Sequence, residues 1–240
     1  MSGHSKWSTI KHQKAAEDKK RGEVFGKLAR AITVAAREDG PDPSANPKLR
    51  TAIEKAREIN MPGDNIERAV ERASGGGEGT TLEAFSMDAV GPGGAVLIIE
   101  GITDNRNRTV SEIRHVLETH GGKLGAEGSS RWAFKRAGVL TINPVKQEST
   151  QEALELELIQ AGAEDIVPNG AMLTVVVPKE QLYKIRNELS GKGIAADETQ
   201  IGWVPLQITS LPQEKHSEFT ALIKKLDEQE DVQTIWSNSN

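Results

Sequence analysis

Between residues 138 and 203 two kinds of apolar pattern alternate, and their order constrains the fold more than any other feature of the chain. Residues 138–142, 164–167, 172–177 and 194–203 are short strand-like runs, while 150–160 and 179–189 carry apolar side chains at helical spacing. Pro168, Asn169 and Gly170 supply a turn between the second and third runs. The segment therefore spells β-α-β-β-α-β.

Taking that segment out leaves the same pattern behind. A strand at 95–102, a helix at 107–119 and a strand at 130–135 join a strand at 205–210, a helix at 213–227 and a strand at 231–236. Val110, Ile113, Val116 and Leu117 are the inward face of the first of these helices. An additional strand at 85–90 precedes them. The expected class is α+β multidomain, with two ferredoxin-like modules, one inserted into the other. The expected boundaries are 80–135 with 205–240 for the discontinuous module and 136–204 for the inserted one.

Residues 1–78 read as a basic arm plus a helical domain. Val24, Phe25, Leu28, Ile32 and Ala35 place a helix at about 14–37, weakened by Gly22 and Gly26 and ended by Gly40, Pro41, Asp42 and Pro43. Asn46 is the expected cap of a second helix with Pro47 at its first position and Leu49, Ile53, Ala56 and Ile59 inward. Met61, Pro62 and Gly63 break it, and Asp64 is expected to cap a third helix bearing Ile66, Ala69, Val70 and Ala73. Glycines at 75–79 predict a flexible linker.

Composition excludes whole classes of chemistry. There is no cysteine, hence no disulfide, no thiolate metal site and no cysteine nucleophile. The longest strongly apolar run is 95–99, far short of the roughly 20 residues of a membrane span. No apolar stretch follows the basic start, so no signal peptide is expected, and the expected location is cytoplasmic, without a membrane partner. His115 and His120 are too far apart in register to share a helix face as a metal pair. The glycines at 91–94 and 75–77 fall at expected turns and open no helix with a lysine, and no serine-nucleophile elbow is present. The expectation is a non-enzyme with no catalytic residue, no cofactor, no metal and no small-molecule substrate.

The net charge of −5 is unevenly spread. Residues 1–80 carry 15 Lys/Arg against 12 Asp/Glu, and residues 81–240 carry 15 against 23. Residues 6–21 hold six basic and two acidic side chains. Such asymmetry calls for an anionic partner at the basic end. Lys6, Lys11, Lys14, Lys19, Lys20 and Arg21 can neutralise phosphates, with His4 and His12 interleaved. Ser5 can donate to phosphate oxygens and Trp7 can stack on a base. A solvated tail is the competing account of the same residues.

Two further segments are candidates. Arg106 and Arg108 flank a predicted strand-to-helix turn and could grip phosphate, unless Asp104 caps the helix and the arginines pair with local acids. Arg131, Trp132, Ala133, Phe134 and Lys135 read as strand, with the two aromatics on one face. These aromatics are expected to pack beneath the helices of their module, base stacking being the alternative.

Several of these segments together resemble the YebC family, which has a mitochondrial relative that activates translation of cytochrome c oxidase subunit I. They are Gly3-His4-Ser5-Lys6-Trp7 with Ile10-Lys11-His12, Asn46-Pro47-Lys48-Leu49-Arg50, and Met61-Pro62 with Asn65-Ile66-Glu67-Arg68-Ala69. Gly91-Pro92-Gly93-Gly94, Thr103-Asp104-Asn105-Arg106-Asn107-Arg108-Thr109-Val110 and Gly121-Gly122 continue the series. The chain departs from the family's usual pattern at 87–90 and 129–132. The resemblance implies a helical first domain and two α+β domains, one interrupting the other. It implies nucleic-acid binding, described for the family either as promoter binding by transcriptional regulators or as ribosome binding by factors that relieve stalling, notably at proline runs. The expected partner is ribosomal RNA, with DNA as the alternative.

Overall fold

The computed structural model describes residues 18–73, 82–147 and 150–239, the first four residues of the opening helix by backbone alone. The expected linker at 75–79 and the arm before residue 18 lie outside the described residues.

The helical module consists of α1 (Asp18–Asp39), α2 (Pro47–Glu58) and α3 (Gly63–Ala73). Ile32, Leu49, Ile53, Ala56, Ile66 and Ala69 meet in its core. Asn46 both starts α2 and ends α1. Its side-chain oxygen accepts from Leu49 N at 2.9 Å, and its amide donates to the Ala35 and Gly40 carbonyls at 2.8 Å each. Asp64 sits inside the first turn of α3 and not before it, because the helix already begins at Gly63.

Among the described residues, two four-stranded antiparallel sheets follow. The first contains β1 (Glu83–Val90), β2 (Val96–Thr103), β3 (Lys123–Leu124) and β8 (Val232–Ser237), with α4 (Arg106–Thr119) and α7 (Gln213–Asp227) on one face. The second contains β4 (Phe134–Ile142), β5 (Asp165–Asn169), β6 (Met172–Val177) and β7 (Glu198–Pro205), covered by α5 (Gln151–Ala161) and α6 (Leu182–Gly191). Its order, β5-β6-β4-β7, is the ferredoxin-like arrangement of the pattern seen at 138–203.

The first sheet reaches the same arrangement by another route. Its order is β3-β1-β2-β8, so the strand that seemed additional, β1, fills the place of the third strand. The expected strand at 205–210 is not in this sheet. β7 runs on to Pro205, and the next residues contribute only a bridge from Thr209 to Ser239. The expected strand at 130–135 is also redistributed. Residues Arg131–Ala133 form a 3-10 turn, and Phe134 opens the long β4, while the two-residue β3 supplies the edge.

The two sheets touch through the faces their helices leave open. Val96, Ile98, Ala133, Phe134 and Trp236 form that contact, with Trp203 against it. This explains why β2 is apolar on both sides: Leu97 and Ile99 face the helices, while Val96 and Ile98 face the other sheet. Gly202 permits the approach, since a Cβ there would lie 2.1 Å from the Trp236 ring. Glu100 binds the seam together, accepting from Trp203 Nε1 at 3.0 Å, Trp236 Nε1 at 2.9 Å and Arg136 at 3.1 Å. The Arg136 guanidinium also lies over the Trp203 ring, 4.6 Å from its centre.

Candidate nucleic-acid interface

Of the sequence-predicted contacts, His4, Ser5, Lys6, Trp7, Lys11, His12 and Lys14 lie outside the described residues. Lys19, Lys20 and Arg21 belong to the first turn of α1, described by backbone alone. Arg106 and Arg108 are placed in full.

The turn after β2 is built by short-range bonds. Thr103 Oγ1 accepts from Asn105 N at 2.8 Å, and Asn105 caps α4 by accepting from Arg108 N at 3.1 Å. The cap is therefore Asn105, one residue after the Asp104 expected from sequence. Asp104 is thereby free to accept from Arg108 Nη2 at 2.7 Å. Arg106, the first residue of α4, is exposed and has no ion-pair partner among the described residues.

Arg108 also reaches Asp231, while its side chain stays 42% exposed. That carboxylate is 3% exposed and stands just before β8. Oδ2 accepts from Thr109 at 2.5 Å and from Thr103 and Arg108 at 3.0 Å each, and Oδ1 accepts from Arg30 of α1 at 2.6 Å. Its carbonyl accepts from Ile102 N at 2.8 Å across a bulge where Gly101 leaves the necessary room. Burial pushes the Asp231 carboxyl up. The hydrogen bonds from Thr109, Arg108 and Thr103 and the charge of Arg30 together outweigh it and hold the group below the usual carboxylate value.

Asp231 thus joins the two candidate regions. Arg30 lies on the helix whose first turn holds Lys19, Lys20 and Arg21, and Arg108 lies on the helix that opens with Arg106. Neighbouring bonds strengthen the docking of α1: Arg30 pairs with Glu230 at 2.6 Å, and Lys27 donates to the Asp227 carbonyl at 2.6 Å. Sequence reasoning missed Asp231 because it follows Glu228, Gln229 and Glu230 and looks like part of a solvated acidic run. No local signal separates one buried acid from its exposed neighbours.

The aromatic candidates divide. Phe134 is buried, though in the seam between the sheets and not beneath the helices, while Trp132 is 72% exposed, because the 3-10 turn replaces the strand that would have turned it inward. Among the described residues no group of His, Asp and Glu is arranged to hold a metal ion, and no helix is long and apolar enough to cross a membrane.

A family model described as the TACO1/YebC protein N-terminal domain matches residues 5–76, and one described as the TACO1/YebC second and third domain matches residues 82–239. The chain belongs to the TACO1/YebC family. A relative from Halothermothrix orenii, named probable transcriptional regulatory protein, is 44% identical over 239 residues, covering 99% of this chain and 94% of the relative. One from Dehalococcoides mccartyi strain BAV1, of the same description, is 41% identical over 240 residues, covering 100% and 95%. The crystal structure of a conserved hypothetical protein from Aquifex aeolicus superposes with a TM-score of 0.90 at 39% identity, covering 98% of this chain and 97% of that one. The TACO1/YebC match begins at residue 5, so it takes in Lys6, Trp7, Lys11, His12 and Lys14 of the arm.

Proposed function

We propose that this protein is a nucleic-acid-binding regulator of gene expression, that it works as a ribosome-associated translation factor, and that its basic arm holds ribosomal RNA. The observation that carries this is the separation of charge. Residues 6–21 concentrate six cations against two acids, while residues 81–240 hold 15 against 23. The lysines of the sheet modules are largely occupied at home: Lys135, Lys146, Lys179, Lys192, Lys215 and Lys225 each pair with a carboxylate. Such modules repel a long duplex, whereas a short basic arm suffices within a confined RNA site. No described helix combines a dense basic face with base-reading Arg, Asn or Gln as a major-groove reader does. The action would be to position a stalled RNA or peptidyl-tRNA, by binding and not by covalent chemistry. Relief of stalling at proline runs is the outcome expected of such a factor.

A second reading, promoter binding by a transcription regulator, is favoured by the names of the relatives, probable transcriptional regulatory proteins. Specific DNA binding typically exceeds non-specific binding by about 10³ to 10⁷ at one salt concentration. Co-sedimentation with ribosomes, run beside titration of promoter DNA at matched salt, separates the two. Protein in the ribosomal fractions with only weak, sequence-blind DNA binding supports the translation reading. Ribosome fractions free of protein, with tight and site-selective DNA binding, would sink it.

A further inference from the structure

We infer that Trp132 is a second nucleic-acid contact, a platform on which an unpaired base of single-stranded RNA stacks; this rests on the RNA-binding function proposed above. The ring is 72% exposed, although the next two residues, Ala133 and Phe134, are each 4% exposed. The chain thus buries the two residues after position 132 and leaves the larger Trp132 side chain in water. An indole left in water gains free energy when a flat ligand covers it.

The backbone that carries the ring is also held in place. Asp88, 4% exposed, ties down the loop that leads to it. Its carboxylate accepts from Gly128 N at 2.9 Å and Ser130 N at 2.8 Å, and its carbonyl accepts from Gly125 N at 2.7 Å. On the far side, Ala133 N donates to Ser130 O at 3.0 Å, and the Ala133 carbonyl accepts from Leu206 N at 2.8 Å. The backbone on both sides of Trp132 is fixed before any ligand arrives, which lowers the ordering cost of binding.

The surroundings favour a base over a protein surface. Arg131 and Lys123, which flank the loop, are exposed and lack ion-pair partners among the described residues. Glu127 is the one acid between residues 123 and 135. Leu206, whose N–H donates to the Ala133 carbonyl, is itself 63% exposed. An exposed ring on a loop that also carries two unpaired cations offers stacking to a base and charge to its phosphates.

The test uses the full chain, its Trp132→Ala and Trp132→Phe variants, and a labelled single-stranded oligoadenylate followed by fluorescence anisotropy at several salt concentrations. Loss of one stacked base weakens binding by roughly five- to a hundred-fold. W132A is expected to fall in that range with an unchanged salt slope, because the ring carries no charge. W132F should keep most of the affinity, and both variants should melt as the parent does. Parental affinity in W132A would overturn the inference and leave the RNA-binding function standing. Loss of ribosome co-sedimentation alone, with oligoadenylate binding intact, would reassign the ring to a protein surface and likewise overturn it. A parent that binds neither oligoadenylate nor ribosomes would overturn both the inference and the function it rests on.

Discussion

Asp231 Oδ1 lies 2.6 Å from Arg30 Nη1 and its Oδ2 lies 3.0 Å from Arg108 Nη2, so one buried carboxylate holds an arginine from the helical module and another from the first sheet module. Replacement by the isosteric amide keeps the shape and removes the charge that both guanidiniums face. Asp231→Asn is expected to cost about 3 kcal/mol, as for other broken buried pairs, seen as a lower urea or thermal midpoint. The pH dependence follows from the depressed carboxyl. A group titrating lower in the folded chain than the ordinary value of about 3.9 stabilises fully above that value and loses its contribution as pH falls through the folded one. The gap between the parent and D231N should be constant above about pH 5 and should shrink below about pH 4. A gap that persists unchanged into acid would show that the charge of Asp231 does not contribute.

The two arginines of the α4 turn should separate in kind. Arg108 is engaged by Asp104 and Asp231, while Arg106 is exposed and unpaired among the described residues. Arg108→Gln is expected to lower the melting temperature. Arg106→Gln should leave melting untouched and weaken RNA binding, with the salt slope reduced by about one phosphate contact. Equal melting of the two variants would contradict this assignment.

In the arm, Lys11→Glu with Lys14→Glu replaces two cations by two anions. Ribosome or RNA binding should weaken and its salt dependence should flatten, while circular dichroism stays that of the parent. Unchanged affinity and slope would make the arm a solvated tail.

The seam between the sheets offers a steric test. A methyl at position 202 would meet the Trp236 ring at 2.1 Å. Gly202→Ala is expected to destabilise by about 1–3 kcal/mol and to shift tryptophan emission to the red as the indole loses its packing. Emission and midpoint equal to the parent's would show that the seam yields without cost.

These contrasts mark what one sequence discloses. The β-α-β-β-α-β pattern of 138–203 was legible because each element carries its own period, and Asn46 with Pro47 announced α2 by local chemistry alone. The first sheet was harder. A reader following the chain looks for the third strand after the insertion, at 205–210, and finds it only in space, as β1. The site followed the same rule. Arg106 and Arg108 were visible as types, but Asp231, which pairs with Arg108, lies more than a hundred residues away in an acidic run. Trp132 was misjudged because alternation assumes a strand, and a 3-10 turn occupies those residues.

The nesting of one module within another also sets an order of events. The inserted sheet holds all its strands between Phe134 and Pro205 and can close while the rest of the chain is still being made. The first sheet must wait, since β2 pairs with β8 in the register Leu97 to Ser237. Closing the insertion first draws these distant ends together and shortens the effective loop between them. The side chains that seat α1, from Lys27 and Arg30, find their partners between Asp227 and Asp231. The opening helix α1 therefore gains its seat only once residues 227–231 have been made, so a nascent chain that stops before Asp227 would carry α1 without these partners.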